Sequence, residues 1–574
     1  MIEDRLKALR TEMQKHDFAG YIVSSSDEYL SEYTPDYAKR LEYITGFTGS
    51  NGFVVILQNQ ALFFTDGRYI TQSMQELDPQ LFSVYNLNQL KNFAWDSVVE
   101  STKFISYDPK LFTENQLKSV ACLNLKPCTD NLIDHIWYDQ PDKPNSSIYE
   151  YPTKYAGQSS TEKINQCQKV IAENHAEALL LTDASSVCWL LNIRASDVEF
   201  SPLLLANMII TCNTCYLFAD INRLQESVSR QNLEILPESK LAQVLSQING
   251  IVLFDQTQCS SYIISVLQCS QSQHLINPCM LWKSCKNNTE ISCIKEAHIL
   301  DAVAVCELLN MVATEDTSNI TEYDIGVKLT EYRQKGQNYV CDSFPTICGF
   351  QENGAIIHYR AHQSNAKYLI DNGLLLIDSG GQYMGATTDI TRTVLIGKKK
   401  QNYKDLYTRV LKGHIALANI KFPANKVNGA HLDILARQYL WQQGLDYAHG
   451  TGHGVGSFLS VHEGPQNISP VGYGVNIQVG MVLSNEPGYY LPNQMGIRIE
   501  NLMYAKESNI NGFVEFEPLT LVPYARELIN VDMLNQDELN YLKSYYQMIY
   551  QSINDLLSDS TQRWLESQIG DFIR

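Results

Sequence analysis

The sequence predicts an α+β fold in which two similar α/β units precede a larger unit of long helices on a mainly antiparallel sheet. Three observations carry this. A chain of 574 residues exceeds what one hydrophobic core supports and calls for three or four domains. A helix-then-strand order occurs twice in the first half. In the last third, short apolar strands alternate with long helical patterns and carry five side chains of metal-ligand type: Asp378, Asp389, His453, Glu486 and Glu500.

The elements follow in order. RLKALRTEMQKH (residues 5–16) has helical apolar spacing and leads to a strand in AGYIVSSSD. GFVVILQNQALFFTD reads as two strands turning at Gln58-Asn59-Gln60. Around 153–162 the chain becomes polar and rich in Gly, Ser and Thr, the composition of a linker. A second helix (EKINQCQKVIAENH), a second strand (AEALLLTD) and WLLNIRASD then echo the first unit, where LEYITGFTGS holds the equivalent place; this is a weak internal repeat. A long helix is expected from Thr289 as its N-cap, and another over 401–420. After about 510 the chain ends in helices rich in Leu, Tyr and Gln.

Composition narrows the function. A net charge of −19 argues against nucleic acid or an anionic membrane as main partner. No uninterrupted apolar run approaches the roughly 18–20 residues that span a bilayer, and MIEDRLKALRTEMQKHD has no hydrophobic signal core, so a cytoplasmic setting is expected. The 14 cysteines are scattered, with none beyond Cys348, as buried thiols in a reducing compartment would be. TCNTC (Cys212, Cys215) has zinc-ribbon spacing but no second CxxC, and it lies in an apolar strand pattern. Sequons at Asn145 and Asn287 carry no meaning in such a setting.

The five candidate ligands lie in LLLIDSGGQY, TTDITRT, HGTGHGVGSF, VLSNEPGYY and GIRIENLM. Four carboxylates and one imidazole can hold two divalent cations, and hard oxygen donors favour manganese, magnesium or cobalt. Two such ions activate a water and polarise a carbonyl together. GLLLIDSG and TTDITRT read as strands that bring Asp378 and Asp389 face to face. Alternation puts Thr391 beside Asp389 and Arg498 beside Glu500, where they can orient the ligands. Glycines around His453 let the backbone approach a crowded site.

These motifs resemble the pita-bread metallopeptidases, and within them the Xaa-Pro aminopeptidases (aminopeptidase P) of the long, cytosolic type. The spacings of 11 residues from Asp378 to Asp389 and 14 from Glu486 to Glu500 match that family. SFPTICGFQENGAIIHYRA resembles its segment leading to an active-site histidine, here His358. AHGTGHGVGSFLSVHEGP supplies His449, His453 and His462, and EFEPLTLVP with the terminal WLE resembles the family's C-terminal segment. The resemblance implies two creatinase-like α/β domains (1–155 and 156–288), a pita-bread catalytic domain (289–510) and a C-terminal extension (511–574).

It also implies a function. The expected enzyme is a metal-dependent aminopeptidase that releases the N-terminal residue from peptides with proline second, through a hydroxide bridging two divalent metals, Mn2+ first among them. Asp378 would chelate one ion, Asp389 and Glu500 would bridge both, and His453 and Glu486 would complete the other shell. Glu486 is the candidate proton shuttle, His462 the transition-state donor, and His358 a catalytic and substrate-positioning residue. His449 and Arg498 are expected to contact substrate. Arg40 and Arg68 are candidates to reach it from the first domain, and His362 has no assigned role. Partners are expected to be Xaa-Pro peptides and a second copy of the chain in a homodimer, with neither nucleic acid nor membrane. Prolidase, methionine aminopeptidase and a non-catalytic pita-bread binding module are the competing readings; the last is marked by degenerate metal sites.

Overall fold

The computed structural model describes residues 1–573 apart from 101, 227, 229–231, 268–270, 371, 398–400, 472 and 473. The chain divides into two compact units, Met1–Thr153 with Gln158–Cys279, and Lys154–Gly157 with Met280–Arg574.

In the first unit, helix α1 (Ile2–Lys15) buries Leu6, Leu9 and Met13, one apolar stripe at helical spacing. Strands β1 (Gly20–Ser24), β2 (Phe53–Leu57), β3 (Ala61–Thr65), β4 (Ser83–Asn86), β5 (Phe104–Tyr107) and β6 (Asn124–Pro127) form a sheet in the order β4-β3-β2-β1-β5-β6. Ile56 pairs with Ala61, so Gln58–Gln60 is the hairpin turn expected. After helix α2 (Ser160–Glu173) come β7 (Ala178–Leu181), β8 (Asn207–Thr211), β9 (Cys215–Phe218), β10 (Leu233–Leu236), β11 (Val252–Phe254) and β12 (Ser272–His274), in the order β10-β9-β8-β7-β11-β12. Each pairing has the same sense at the same place in both sheets: β1 and β7 run antiparallel to β2 and β8, and parallel to β5 and β11. The internal repeat is therefore a duplication of topology.

Three local expectations need correction. The stretch around 153–162 is not a plain linker: it holds a short helix (Thr153–Ala156) and the start of α2, where the Ser159 hydroxyl accepts from Glu162 N–H and Glu162 answers it. A polar Ser/Thr/Glu string is also what a capping box looks like. Within TCNTC, residues 212–214 turn between Thr211, which ends β8, and Cys215, which opens β9; Cys212 is exposed and Cys215 buried, so the two thiols face different surroundings. The long helix α3 (Asn288–Thr314) is capped by Asn287, not Thr289: the Asn287 carboxamide oxygen accepts from Thr289 N–H (3.0 Å) and Glu290 N–H (3.1 Å), while Glu290 accepts from Asn287 N–H (3.0 Å). Among the described residues α3 is the one helix long and apolar enough to cross a membrane, and 67% of that stretch is buried inside the protein.

The second unit carries two main sheets. Strands β13 (Ile347–Phe350), β14 (Gly373–Ser379) and β15 (Ile390–Ile396) form one, with β14 in the middle. The other is antiparallel and runs β16-β23-β22-β19-β17-β18, from β16 (Lys421–Pro423), β17 (Gly452–Gly454), β18 (Glu463–Ile468), β19 (Val482–Asn485), β22 (Asn501–Glu507) and β23 (Phe513–Pro518). A two-stranded ribbon, β20 (Gly488–Leu491) with β21 (Met495–Arg498), lies between β19 and β22 in sequence. Helices α4 (Gln401–Ala418) and α5 (Gly429–Trp441) precede β17, and α6 (Gln536–Ile553) and α7 (Asp559–Ile573) end the chain. One core joins Val305 and Leu309 of α3, Leu375 and Ile377 of β14, Tyr407 and Leu411 of α4, and Tyr524, Leu542, Tyr546 and Leu565 of the last segment.

Arg392 ties that last segment to the sheets. Its buried guanidinium donates to the carbonyls of Glu500 (2.6 Å), Val522 (2.7 Å) and Pro523 (3.1 Å) and to Asn501 Oδ1 (2.7 Å). Tyr545 of α6 accepts from Asn501 Nδ2 (3.1 Å) and donates to the carbonyls of Thr520 and Val522.

The cap at Asn287 generates a prediction. Asn287→Ala removes both acceptor bonds at the start of α3 and is expected to cost about 1 kcal/mol. Hydrogen exchange should then speed up in the first turn of α3 and leave its buried middle unchanged; an unaltered first turn counts against the capping role.

Candidate active site

The four expected carboxylate ligands sit at or beside strand ends in the second unit, and His453 lies within a short strand. Asp378, near the end of β14, pairs with Thr391 of β15. Asp389 immediately precedes β15, His453 is the middle residue of β17, and Glu486 follows β19. Glu500 lies between β21 and β22, its N–H bonded to Thr391 O (3.1 Å), while Glu486 N–H is bonded to Thr451 O (2.8 Å).

The side chains converge. His453 Nε2 is 3.4 Å from Asp389 Oδ2 and 3.5 Å from Glu486 Oε1. Donor atoms of Asp389, His453 and Glu500 all lie within 4.8 Å of one another. Asp378 joins through a relay: Arg498 Nη2 donates to Asp378 Oδ2 (2.6 Å), Arg498 Nε to Thr391 Oγ1 (3.1 Å), and the Thr391 hydroxyl to Glu500 Oε2 (2.7 Å). Thr391 and Arg498 both touch ligand candidates, though not the neighbours that alternation along a strand gave them: Thr391 meets Glu500 and Arg498 meets Asp378. Glycines make the approach possible: a Cβ on Gly452 would lie 2.1 Å from Ser484 O, and one on Gly454 2.3 Å from Glu463 O.

Electrostatics mark the site as a cation site. Burial pushes Asp389 up to about 6, helped by the neighbouring Asp378 and Glu486 charges. Burial, with Asp389, Glu486 and Asp378 close by, holds Glu500 well above the carboxylate range. Burial pulls His453 down, but Asp389 and Glu486 outweigh it and carry the imidazole up to about 9. His453 Nδ1 lies 2.9 Å from Gly454 O and donates there, which turns Nε2 towards the carboxylates. A proton on Nε2 then does electrostatically what a metal would do. Asp378 Oδ1 and Asp389 Oδ1 are buried without a hydrogen-bond partner. Such oxygens are costly unless something positive meets them, and four carboxylates, with Arg498 as the fixed cation among the described residues that touches them, suit two divalent ions.

Of the remaining candidate histidines, His462 and His449 reach this cluster. The His462 ring meets His453 edge-on at 4.4 Å between centroids. His449 Nε2 is 2.9 Å from Tyr490 OH, its Nδ1 is 2.7 Å from Gly450 O and 3.9 Å from Glu486 Oε2. Since Arg498 Nη1 donates to Tyr490 OH (2.7 Å), the phenol is free to donate to His449 Nε2. His358 is half-buried in the turn after Ile357, whose carbonyl accepts from Arg498 Nη2 (3.4 Å). His362 is exposed, and its backbone N–H donates to Asn365 Oδ1. In the first unit Arg40 is buried against Asp134 (2.7 Å) and Glu28 (3.2 Å), and Arg68 pairs with Asp66 (2.7 Å), so both guanidiniums are engaged locally.

Sequence reasoning missed two contributors. Tyr490 links Arg498 to His449 only because the β20–β21 ribbon sets Gly488 opposite Arg498 and Tyr490 opposite Gly496; the repeated tyrosines of EPGYY were the available signal. Arg437 of α5 donates to His449 O (2.7 Å) and to Asp433 Oδ2 (2.7 Å), while Asp433 Oδ1 accepts from Thr451 Oγ1 (2.6 Å). That helix thereby fixes the loop of His449 to Thr451, with no local motif to announce it.

Comparison with known proteins agrees with the geometry. Residues 292–507 match the Metallopeptidase family M24, residues 5–135 and 139–290 each match the Creatinase/Prolidase N-terminal domain, and residues 512–571 match the C-terminal region of peptidase M24. Xaa-Pro aminopeptidase 1 of Dictyostelium discoideum is 37% identical over 99% of this chain and 96% of its own length. Aminopeptidase P1 of Lotus japonicus is 32% identical over 98% of this chain and 99% of its own. The X-prolyl aminopeptidase of Caenorhabditis elegans, described as a cytosolic enzyme with a di-nuclear active site, superposes with a TM-score of 0.93 at 28% identity over 99% of both chains. A prolidase from Pyrococcus horikoshii shares the fold over 64% of this chain and 100% of its own, with a TM-score of 0.52 at 22% identity. Two creatinase-type N-terminal domains, an M24 domain and its C-terminal region thus follow one another along a chain that matches its relatives end to end, and that chain belongs to the Xaa-Pro aminopeptidases of metallopeptidase family M24.

Proposed function

We propose that the protein removes the N-terminal residue from peptides with proline in second place, using two divalent cations held by Asp378, Asp389, His453, Glu486 and Glu500. The observation that carries this is the buried convergence of four carboxylates and one imidazole, with Asp378 Oδ1 and Asp389 Oδ1 lacking any protein donor. Bound there, the cations would acidify a water and polarise the carbonyl of the first peptide bond. The all-oxygen-and-imidazole donor set, free of thiolate, supports manganese. A cytoplasmic homodimer, with domains meeting at 155/156, 288/289 and 510/511, completes the reading; the cytosolic C. elegans relative supports its location.

The chain's own residues divide the work. Glu486 takes the proton of the attacking water and returns it to the leaving nitrogen. Its side chain is 18% exposed, against 11% for Asp378 and 5% for Asp389, so it is the carboxylate best placed to exchange protons with a substrate. His462, packed on His453, donates to the oxyanion as it forms. His358 and His449 border the proline side, and Arg498 fixes both Asp378 and Tyr490 while it bounds the substrate. A bond before proline has no N–H and a fixed φ, so a pocket shaped for that ring selects it.

Three outcomes test this. Under manganese saturation, Xaa-Pro-Ala should lose its first residue while Xaa-Ala-Ala is cut far more slowly and N-acetylated peptides are untouched; equal rates on the two tripeptides reject proline specificity, and cleavage of Xaa-Pro dipeptides alone favours a prolidase.

Glu486→Gln should lower kcat by about a hundredfold or more. His462→Ala should retain two ions per chain by elemental analysis and lose about a hundredfold in kcat. A His462→Ala enzyme with normal turnover removes that residue from the mechanism.

Metal loading should also release protons. In the metal-free protein the His453 ring, carried up to about 9, is protonated at neutral pH, and a cation must displace that proton. Metal affinity should therefore rise with pH between about 6, where Asp389 loses its proton, and about 9. Titration calorimetry at pH 7 in two buffers of different ionisation heat should show release of about one proton or more per chain; identical heats in both buffers would falsify ligation by His453.

A further inference from the structure

Directly after His462 the chain buries a carboxylate that the reaction above does not use. Glu463 lies between two lysines as buried as itself: Lys283 Nζ is 2.8 Å from Oε2, and Lys286 Nζ is 2.7 Å from Oε1. Side-chain exposures are 1% for Glu463, 3% for Lys283 and 0% for Lys286. Burial alone would lift the carboxyl, and the two ammoniums reverse that and hold it below its ordinary range. A buried ion cluster of this kind adds little stability over apolar residues of the same volume, yet is costly to leave half-made. Directional charges in a dry interior are good at something else, which is fixing where a segment lies.

What this cluster fixes is on either side of it. Glu463 opens β18 opposite Gly454, beside the metal-ligand candidate His453. Gly454 leaves no room for a side chain there, and a Cβ on Gly456 would lie 3.2 Å from Glu463 Oε2. The His462 and Glu463 side chains diverge, one onto the His453 ring and the other onto the lysines. The lysine segment is itself anchored. Lys286 N–H donates to Gly480 O (2.9 Å), Cys285 bridges Met481, and Asn287 caps α3. Gly480 and Met481 lead into β19, at whose end stands Glu486.

We propose that Lys283, Glu463 and Lys286 form an electrostatic clamp that positions the His462 ring beside the metal centre, and so act on turnover rather than on metal binding. They touch no substrate and are positioning residues. The proposal rests on the reading of His462 as a donor to the transition state.

The test uses the full-length, manganese-loaded enzyme and one Xaa-Pro tripeptide. Lys286→Met, Lys283→Met and Glu463→Gln should keep two ions per chain and lower kcat at least about tenfold, with KM within about twofold. Lys286→Arg, which keeps the charge, should recover most of the turnover. In a His462→Ala background the same substitutions should lower kcat no further, because the group they position is gone. Losses of equal size in both backgrounds overturn the clamp, as do loss of metal or an unaltered kcat in folded Lys286→Met and Glu463→Gln. If Lys286→Met does not fold, Glu463→Gln conserves shape and carries the comparison. Normal turnover in the single His462→Ala enzyme overturns the underlying reading of His462, and that result is separate because it needs none of the clamp variants.

Discussion

Four carboxylates in one buried space repel each other, and the second unit is organised around holding them there. Desolvation and mutual repulsion alone push Asp389 and Glu500 towards their neutral forms. Arg498 answers Asp378 directly and Glu500 through Thr391, while the His453 imidazole answers Asp389 and Glu486. Because each acid stands on a different strand end, the distances between them are set by sheet register. A slip of one residue between β14 and β15 would turn Asp378 away from Thr391 and break the relay to Glu500. The site is therefore only as good as the pairing of its strands.

The first unit obeys a different constraint. Two six-stranded sheets with one pairing order share no obvious motif beyond a helix and a strand, yet both place an apolar strand between an antiparallel and a parallel neighbour. β1 and β7 are buried along their lengths, as strands flanked on both sides must be. Topology here has outlasted sequence, because many apolar residues fill a core equally well while few connections close such a sheet.

What was legible in the sequence is what is local. The five ligand candidates could be read because each lies in a short, unusual string, and the Gln58–Gln60 turn because it interrupts two apolar runs. Tyr490 was not readable, since its partners Arg498 and His449 reach it only through a ribbon register and a loop fixed from α5. Thr289 was expected as the cap because it is the hydroxyl residue just before the helical pattern, whereas the reciprocal bonds between Asn287 and Glu290 that set the true cap are visible only in the fold. TCNTC looked like strand because cysteine is apolar enough to continue the pattern that the turn breaks. Glu463 carries no local signal, since its partners Lys283 and Lys286 lie far away in sequence.

Arg392 gives the order of the sequence a consequence. Its guanidinium holds the carbonyl of Glu500 on one side and those of Val522 and Pro523 on the other, and Tyr545 seals the same junction. From α6 the Tyr545 hydroxyl accepts from that buried cation at 3.4 Å, and from Asn501, next to Glu500, at 3.1 Å. The last helices thus back the segment that follows Glu500, so a metal ligand leans on chain that comes after it in sequence.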